Sequence, residues 1–263
     1  MKTPEDLKKI VKEKYAEIAL AKPLCSCGCG PVTEKKYTAF SDNYKTQPGY
    51  LEDADLGLGC GIPTEHAGIR PGDAVLDLGA GAGNDCFVAR ALVGENGKVT
   101  GLDFTDEMIE KATWNNNKLG YTNVDFIKGD IENMPVPNES YDVVISNCVL
   151  NLVPDKRKAF SEIYRVLKKG GHFCVSDIVI EGNLPEKLRE EAEMYAGCVS
   201  GAVQKDEYIN IIKSSGFKNI EIPELRGTAI PEEILLNYIS PEELNVFKQS
   251  KTGIFSITVI AYR

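Results

Sequence analysis

Of the eight cysteines in the sequence, three stand outside both an N-terminal cluster and any periodic pattern. Cys60 lies in Gly57-Leu58-Gly59-Cys60-Gly61, Cys148 follows Asn147, and Cys198 opens the run Cys198-Val199-Ser200-Gly201-Ala202. Small neighbours leave the backbone able to bring thiols from distant segments to one point. Three thiolates around an open apex suit a soft, thiophilic centre. A second group, Cys25, Cys27 and Cys29, alternates with Ser26 and Gly28. These either gather around one soft ion or act as redox thiols that exchange with a site elsewhere. A closed zinc site needs four ligands, and beyond cysteine and the acids the chain offers only His66 and His172. Cys60, set among glycines, reads as an accessible, adjustable thiol. Cys86 falls in the first turn of an expected helix, where the dipole would favour a thiolate, although packing is the preferred reading there. Cys174, inside an expected strand, reads as core.

Composition narrows the classes. A net charge of −9 argues against a nucleic-acid surface and against attraction to anionic membranes. No apolar stretch approaches the roughly 18–20 residues of a membrane span. The first twenty residues are charged, with no apolar signal-peptide core, so a cytoplasmic location is expected. In that compartment the cysteines are reduced thiols, and metalloid binding or redox chemistry outranks a disulfide framework. Apolar residues at 43% supply enough material for one large domain with additions, or for two small ones.

The thiols must be positioned by something, and the strongest organising signal is Val75-Leu76-Asp77-Leu78-Gly79-Ala80-Gly81-Ala82-Gly83-Asn84-Asp85. It reads as a strand, a tight glycine turn and a helix start. The missing Cβ atoms let a ligand lie against the backbone, and the turn is expected to aim amides and a helix dipole at it. The pattern is G-x-G-x-G, with Asn84 where a dinucleotide fingerprint wants its third glycine. Asp77 would repel phosphates and suits a ligand that carries positive charge. A second strand ends at Asp103, placed to accept hydrogen bonds from ribose hydroxyls.

Acid, glycine turn and second acid together resemble the class I S-adenosylmethionine-dependent methyltransferases. The loop around Cys60, the stretch from Leu76 to Asp85, Gly101-Leu102-Asp103-Phe104-Thr105-Asp106, Ser146-Asn147-Cys148-Val149 and Gly197-Cys198-Val199 narrow this to a resemblance to the arsenite methyltransferase family. The resemblance implies S-adenosylmethionine as cofactor, held by Asp77, Gly79, Gly81, Asp103, Phe104, Asp130, Ile131 and Asn147. It implies Cys60, Cys148 and Cys198 as ligands of trivalent arsenic, and arsenite or its thiol conjugates as substrate. It also implies a disulfide between the Cys60 position and one of Cys25, Cys27 or Cys29 during turnover, relieved by a thioredoxin- or glutathione-type reductant, with detoxification as the outcome. Two other readings stand beside it: a methyltransferase for a quinone or another small organic molecule, and a thiol-based metalloid or zinc binder.

The expected fold is α/β, a class I methyltransferase Rossmann-like doubly wound sheet, mostly parallel with an antiparallel edge strand. Residues 1–60 would hold an N-terminal helix (4–21) and the Cys-bearing loops. Residues 61–180 would form the S-adenosylmethionine-binding core. Residues 181–263 would form a C-terminal α+β extension that completes the sheet on the substrate side. Within the core, strands are expected at 75–78, 98–103, 123–128, 140–146 and 172–179, and helices at 84–93, 106–119 and 155–167, the last stopped by Gly170-Gly171. Helices at 185–195, 206–214 and 231–238 and strands at 217–222 and 253–262 follow, with the last strand at the sheet edge. The segment 31–50 reads as a loop that folds over cofactor or substrate.

Overall fold

The computed structural model describes residues 3–20, 43–183, 201–227, 232–236, 239–249 and 252–263. One seven-stranded sheet organises them, in the order β3-β2-β1-β4-β5-β7-β6. The strands are β1 (Ala74–Leu78), β2 (Lys98–Asp103), β3 (Val124–Lys128), β4 (Tyr141–Asn147), β5 (Leu167–Glu181), β6 (Lys218–Gly227) and β7 (Gly253–Tyr262). β1 to β5 run parallel, and β7 pairs antiparallel with both β5 and β6. The parallel strands are covered on both faces, which is why β1 and β4 carry near-continuous apolar runs. One apolar cluster, with Phe160, Phe173 and Tyr208, fills one face of the sheet, and another, with Phe87 and Cys86, fills the other.

Helices α1 (Pro4–Leu20), α2 (Pro63–His66), α3 (Asn84–Val93), α4 (Asp106–Leu119), α5 (Lys156–Val166) and α6 (Lys205–Ser214) accompany the sheet. The apolar spacing of α1 predicts a packing helix, and α1 does lie on α4. It also crosses the mouth of the central cavity, described below.

Several expectations shift. β7 is not an edge strand: it lies between β5 and β6, and β6 takes the edge. Its interior place explains its almost unbroken burial. α5 ends before Leu167, and β5 begins there at once, so Gly170-Gly171 lie inside the strand rather than at a helix stop. Thr105 holds the N-cap position of α4. The short helix expected over 231–238 is Glu232–Leu235, and a further helix, Pro241–Gln249, was not foreseen. The expected helix at 185–195 lies outside the described residues.

Candidate active site

The strand order reverses its direction of growth between β1 and β4, and ligands of open α/β sheets bind beyond the strand ends at such a switch point. A cavity lies there. Asp77, Gly79, Gly81, Asp103, Phe104, Asp130, Ile131, Asn147 and Cys148 all line it. They come from the carboxyl ends of β1 to β4 and the turns that follow.

The glycine turn is tighter than its sequence suggests. Gly79 and Gly83 both have left-handed backbones, with φ +71 and +97. The Gly79 and Ala80 amides donate to the Leu102 carbonyl at 2.7 and 3.0 Å, and the Gly81 amide donates to Asp103 Oδ2 at 3.0 Å. These amides fasten the turn to β2 instead of aiming at a ligand. Asp103 is thereby held from both sides, since its Oδ1 accepts the Thr105 amide at 2.9 Å.

The cavity wall is anionic. Asp77 and Asp103 are buried and Asp85 is half-buried, and desolvation pushes each carboxyl above its usual range. Repulsion from Asp85 pushes Asp77 further. Burial takes Asp85 to about 6, against the pull of hydrogen bonds from Tyr44 and Asn147. Such a site gains from a cation. Cys86 settles as packing: its Sγ lies 3.2 Å from Asp77 Oδ2, and burial followed by the Asp77 charge lifts its pKa well above normal. The dipole of α3 does not overcome those two effects. Cys174 is wholly buried in β5, as core.

At the far side of the cavity, Asp130 Oδ2 accepts from Lys8 Nζ at 2.6 Å, and the same ammonium bonds Glu132. Lys8, Val11 and Tyr15 of α1 line the cavity. No feature of the sequence links Lys8 to residues so far along the chain.

Cys60 and Cys148 are both tied to the carboxyl end of β4, Cys148 as the residue after Asn147 and Cys60 through the Asn147 side chain. Cys60 is completely buried rather than accessible, and Cys148 is nearly so. The Cys60 amide donates to Asn147 Oδ1 at 3.0 Å, and the Cys60 carbonyl accepts from Ser256 Oγ and from Arg226. These bonds draw the glycine loop down onto the sheet. Cys148 has φ +59, outside the range most side chains prefer, and its amide donates to the Ser176 carbonyl at 2.7 Å. Burial, then the neighbouring Asp177, pushes the Tyr208 hydroxyl well above its usual range, with smaller contributions from Cys60 and Cys148. Tyr208 in turn donates to Asp177 Oδ2 at 3.1 Å. Burial pushes Asp177 up to about 7, opposed by the Lys156 charge. This polar cluster under the thiols went unnoticed in the sequence because its members sit in apolar-patterned elements. Cys198 and Cys25, Cys27 and Cys29 lie outside the described residues. Among the described residues, no cluster of three His, Cys, Asp or Glu side chains has metal-holding geometry.

The expected loop over 31–50 is described from residue 43, and there Tyr44 is buried at the cavity wall. Its hydroxyl donates to Asp85 Oδ1 at 2.8 Å. Asp85 carried a usable signal, an acid in the first helical turn after the glycines. Tyr44 carried none.

Comparison with known proteins places this geometry. The profile of the methyltransferase domain family matches residues 69–216. An arsenite methyltransferase of Halobacterium salinarum is 41% identical over 231 residues, covering 83% of this chain and 59% of that protein. The human arsenite methyltransferase is 38% identical over 193 residues, 68% of this chain and 52% of that one. The chain thus spans between about half and three fifths of the length of these relatives. The crystal structure of CrArsM, an arsenic(III) S-adenosylmethionine methyltransferase from Chlamydomonas reinhardtii, superposes with a TM-score of 0.62. It is 36% identical, over 78% of this chain and 67% of that one.

Proposed function

Since the chain belongs to the arsenite methyltransferase family, within the methyltransferase domain family, we propose that it transfers methyl groups from S-adenosylmethionine to trivalent arsenic. Cys60, Cys148 and Cys198 are the proposed arsenic ligands. The observation that carries this reading is Cys148 lining the acid-lined cavity, with the buried Cys60 tied through its amide to Asn147, the residue before Cys148. A methyltransferase for an organic acceptor has no need of that pairing.

The cavity fits the cofactor. Its ligand would carry a sulfonium and an ammonium, and a cluster of carboxylates in which Asp85 and Asp103 repel Asp77 favours such a molecule. When bound, S-adenosylmethionine supplies an electrophilic methyl group. Asp103 would receive the ribose hydroxyls, and Asp130 and Ile131 would border the base, with Phe104 against the ring. Gly79 and Gly81 leave room for close approach, and Asp77 answers the positive charge.

Three thiolates hold trivalent arsenic as a pyramid and leave its lone pair pointing outward. Alignment of that lone pair with the methyl group is the protein's main task, an effect worth up to ~7–11 kcal/mol. No side chain need act as a base, because the nucleophile has no proton to lose. A thioredoxin- or glutathione-type reductant would restore the trivalent product and the cysteines, with Cys25, Cys27 or Cys29 exchanging with Cys60. A detoxifying enzyme of the cytoplasm fits this chemistry. No helix among the described residues is long and apolar enough to cross a membrane.

The test is methyl transfer from labelled S-adenosylmethionine to arsenite with excess thiol, with products separated by chromatography. Methylated arsenic is expected, and its species give the number of methyl groups. Cofactor binding without any arsenic product overturns the reading and points to an organic acceptor such as a quinone.

The acid wall sets a pH dependence. Asp85 titrates near about 6 in the folded protein, so its charge is present above that pH and lost below it. Lowering the pH from about 7.5 to about 5 should weaken S-adenosylmethionine by about tenfold, an attraction of about 1.4 kcal/mol. S-adenosylhomocysteine, which lacks the sulfonium charge, should lose less. Calorimetry on both ligands checks this, and equal losses would place the titration elsewhere.

A further inference from the structure

Asn147 was expected to hold the cofactor, and its side chain does border the cavity. Its polar atoms are directed elsewhere. Oδ1 accepts the Cys60 amide at 3.0 Å. Nδ2 donates to the Gly61 carbonyl at 2.9 Å and to the Tyr44 hydroxyl at 2.7 Å, with Asp85 Oδ2 at 3.3 Å. A primary amide has two hydrogens, and three acceptors already surround them. Turning the carboxamide over would set Nδ2 against the Cys60 N–H, donor to donor, so the network fixes its orientation. The Tyr44 hydroxyl passes its own hydrogen to Asp85 Oδ1 at 2.8 Å, which completes the set without an unpaired atom.

The carboxamide therefore grips the Cys60–Gly61 peptide segment by both its donor and its acceptor. The next residue along the chain is Cys148, whose backbone is held in a left-handed conformation by the Ser176 carbonyl. Gly59 allows the close approach: a Cβ there would lie 2.7 Å from Asn147 Nδ2.

We infer that Asn147 is a positioning residue that locks the Cys60 loop in register with Cys148, with Tyr44 holding its carboxamide, rather than a ligand of the cofactor. The inference rests on the arsenic-binding reading only for its purpose. The clamp itself is a property of the free protein.

The test has two arms on Asn147→Ala. In the first, without arsenite, Cys60 is labelled with an aromatic disulfide and followed by peptide mapping, while calorimetry gives the affinity for S-adenosylmethionine. Labelling should rise about tenfold or more, as a buried hydrogen-bonded segment is released, and cofactor affinity should stay within about threefold. In the second arm, the KM for arsenite should rise about tenfold with kcat changed far less, as expected when binding geometry is lost. Unchanged Cys60 labelling with cofactor affinity down about tenfold would overturn the inference. Should wild-type protein methylate no arsenite, the first arm still decides the clamp, so the two readings fail separately. Should Asn147→Ala not fold, Tyr44→Phe removes a single hydroxyl and takes its place. A rise of about threefold in Cys60 labelling supports the clamp, and wild-type labelling overturns it.

Discussion

Cys148→Ser is expected to lower kcat/KM for arsenite methylation by about a thousandfold or more, a loss of about 4 kcal/mol in transition-state stabilisation. Affinity for S-adenosylmethionine should change little. Serine nearly matches cysteine in shape, so the αL turn at this position and its bond to Ser176 can persist. What disappears is a soft donor. An alkoxide-arsenic link exchanges readily with water, and a centre with two sulfurs has no fixed direction for its lone pair. Cys174→Ser makes the comparison informative. Cys174 is equally buried but lies in the interior of β5. Its replacement should cost roughly 1–3 kcal/mol of stability through an unpaired hydroxyl and leave methylation within about threefold. Steady-state rates and thermal melts on both variants separate chemistry from folding. Equal activity of the Cys148 variant and wild type would remove Cys148 from the arsenic site.

Gly201→Ala should be among the most damaging single methyl groups in the protein. A Cβ on Gly201 would lie 1.7 Å from the Asn151 carbonyl oxygen, a backbone atom. Asn151 belongs to the turn that follows Cys148, and its own side chain is buried with neither polar atom paired among the described residues. Neither partner can move cheaply. Overpacking of this kind costs roughly 3 kcal/mol or more, or roughly 6–12 °C in Tm for a chain of this size. Gly120→Ala is the scale for comparison. Gly120 caps α4 with φ +69 and, among the described residues, has no atom within 4 Å of its absent Cβ, so only the left-handed backbone is strained, at about 1–2 kcal/mol. Differential calorimetry should show the Gly201 variant melting well below the Gly120 variant. Because Gly201 also lies three residues after Cys198 in the sequence, its arsenite methylation should fall more than its stability at assay temperature accounts for.

The reach of sequence reasoning differs between parts of the site. The glycine turn, Asp77 and Asp103 were legible because each rests on a local rule: alternation, a break, an acid at a strand end. Those rules also gave β1 to β4 and α3 nearly residue for residue. Lys8 and Tyr44 were illegible for the opposite reason. Each meets its partners across a long stretch of chain, and nothing in α1 distinguishes Lys8 from its neighbouring lysines before the sheet brings Asp130 and Glu132 beneath it. The burial of Cys60 was misjudged on similar grounds. Glycine neighbours report conformational freedom, whereas burial was decided by Asn147, Ser256 and Arg226 from three other segments. The interior place of β7 followed the same pattern, since alternation marks a strand but not its position in the sheet.

That position has a bearing on how the protein is made. β7 is inserted between β5 and β6, although it is synthesised after both. Until it emerges from the ribosome, β5 presents an open, apolar edge, and β6 has no strand to pair with. Unpaired edges of this kind recruit other chains, and long-range pairings form slowly. The nascent protein can therefore assemble β1 to β4 early but must wait for β7 to close the sheet. The hydrogen bonds from Ser256 and Arg226 to the Cys60 carbonyl come from β7 and β6 themselves. The thiol loop thus gains its last two fastenings only when β6 and β7 are in place, so a chain interrupted before β7 would hold Cys60 by the Asn147 clamp alone.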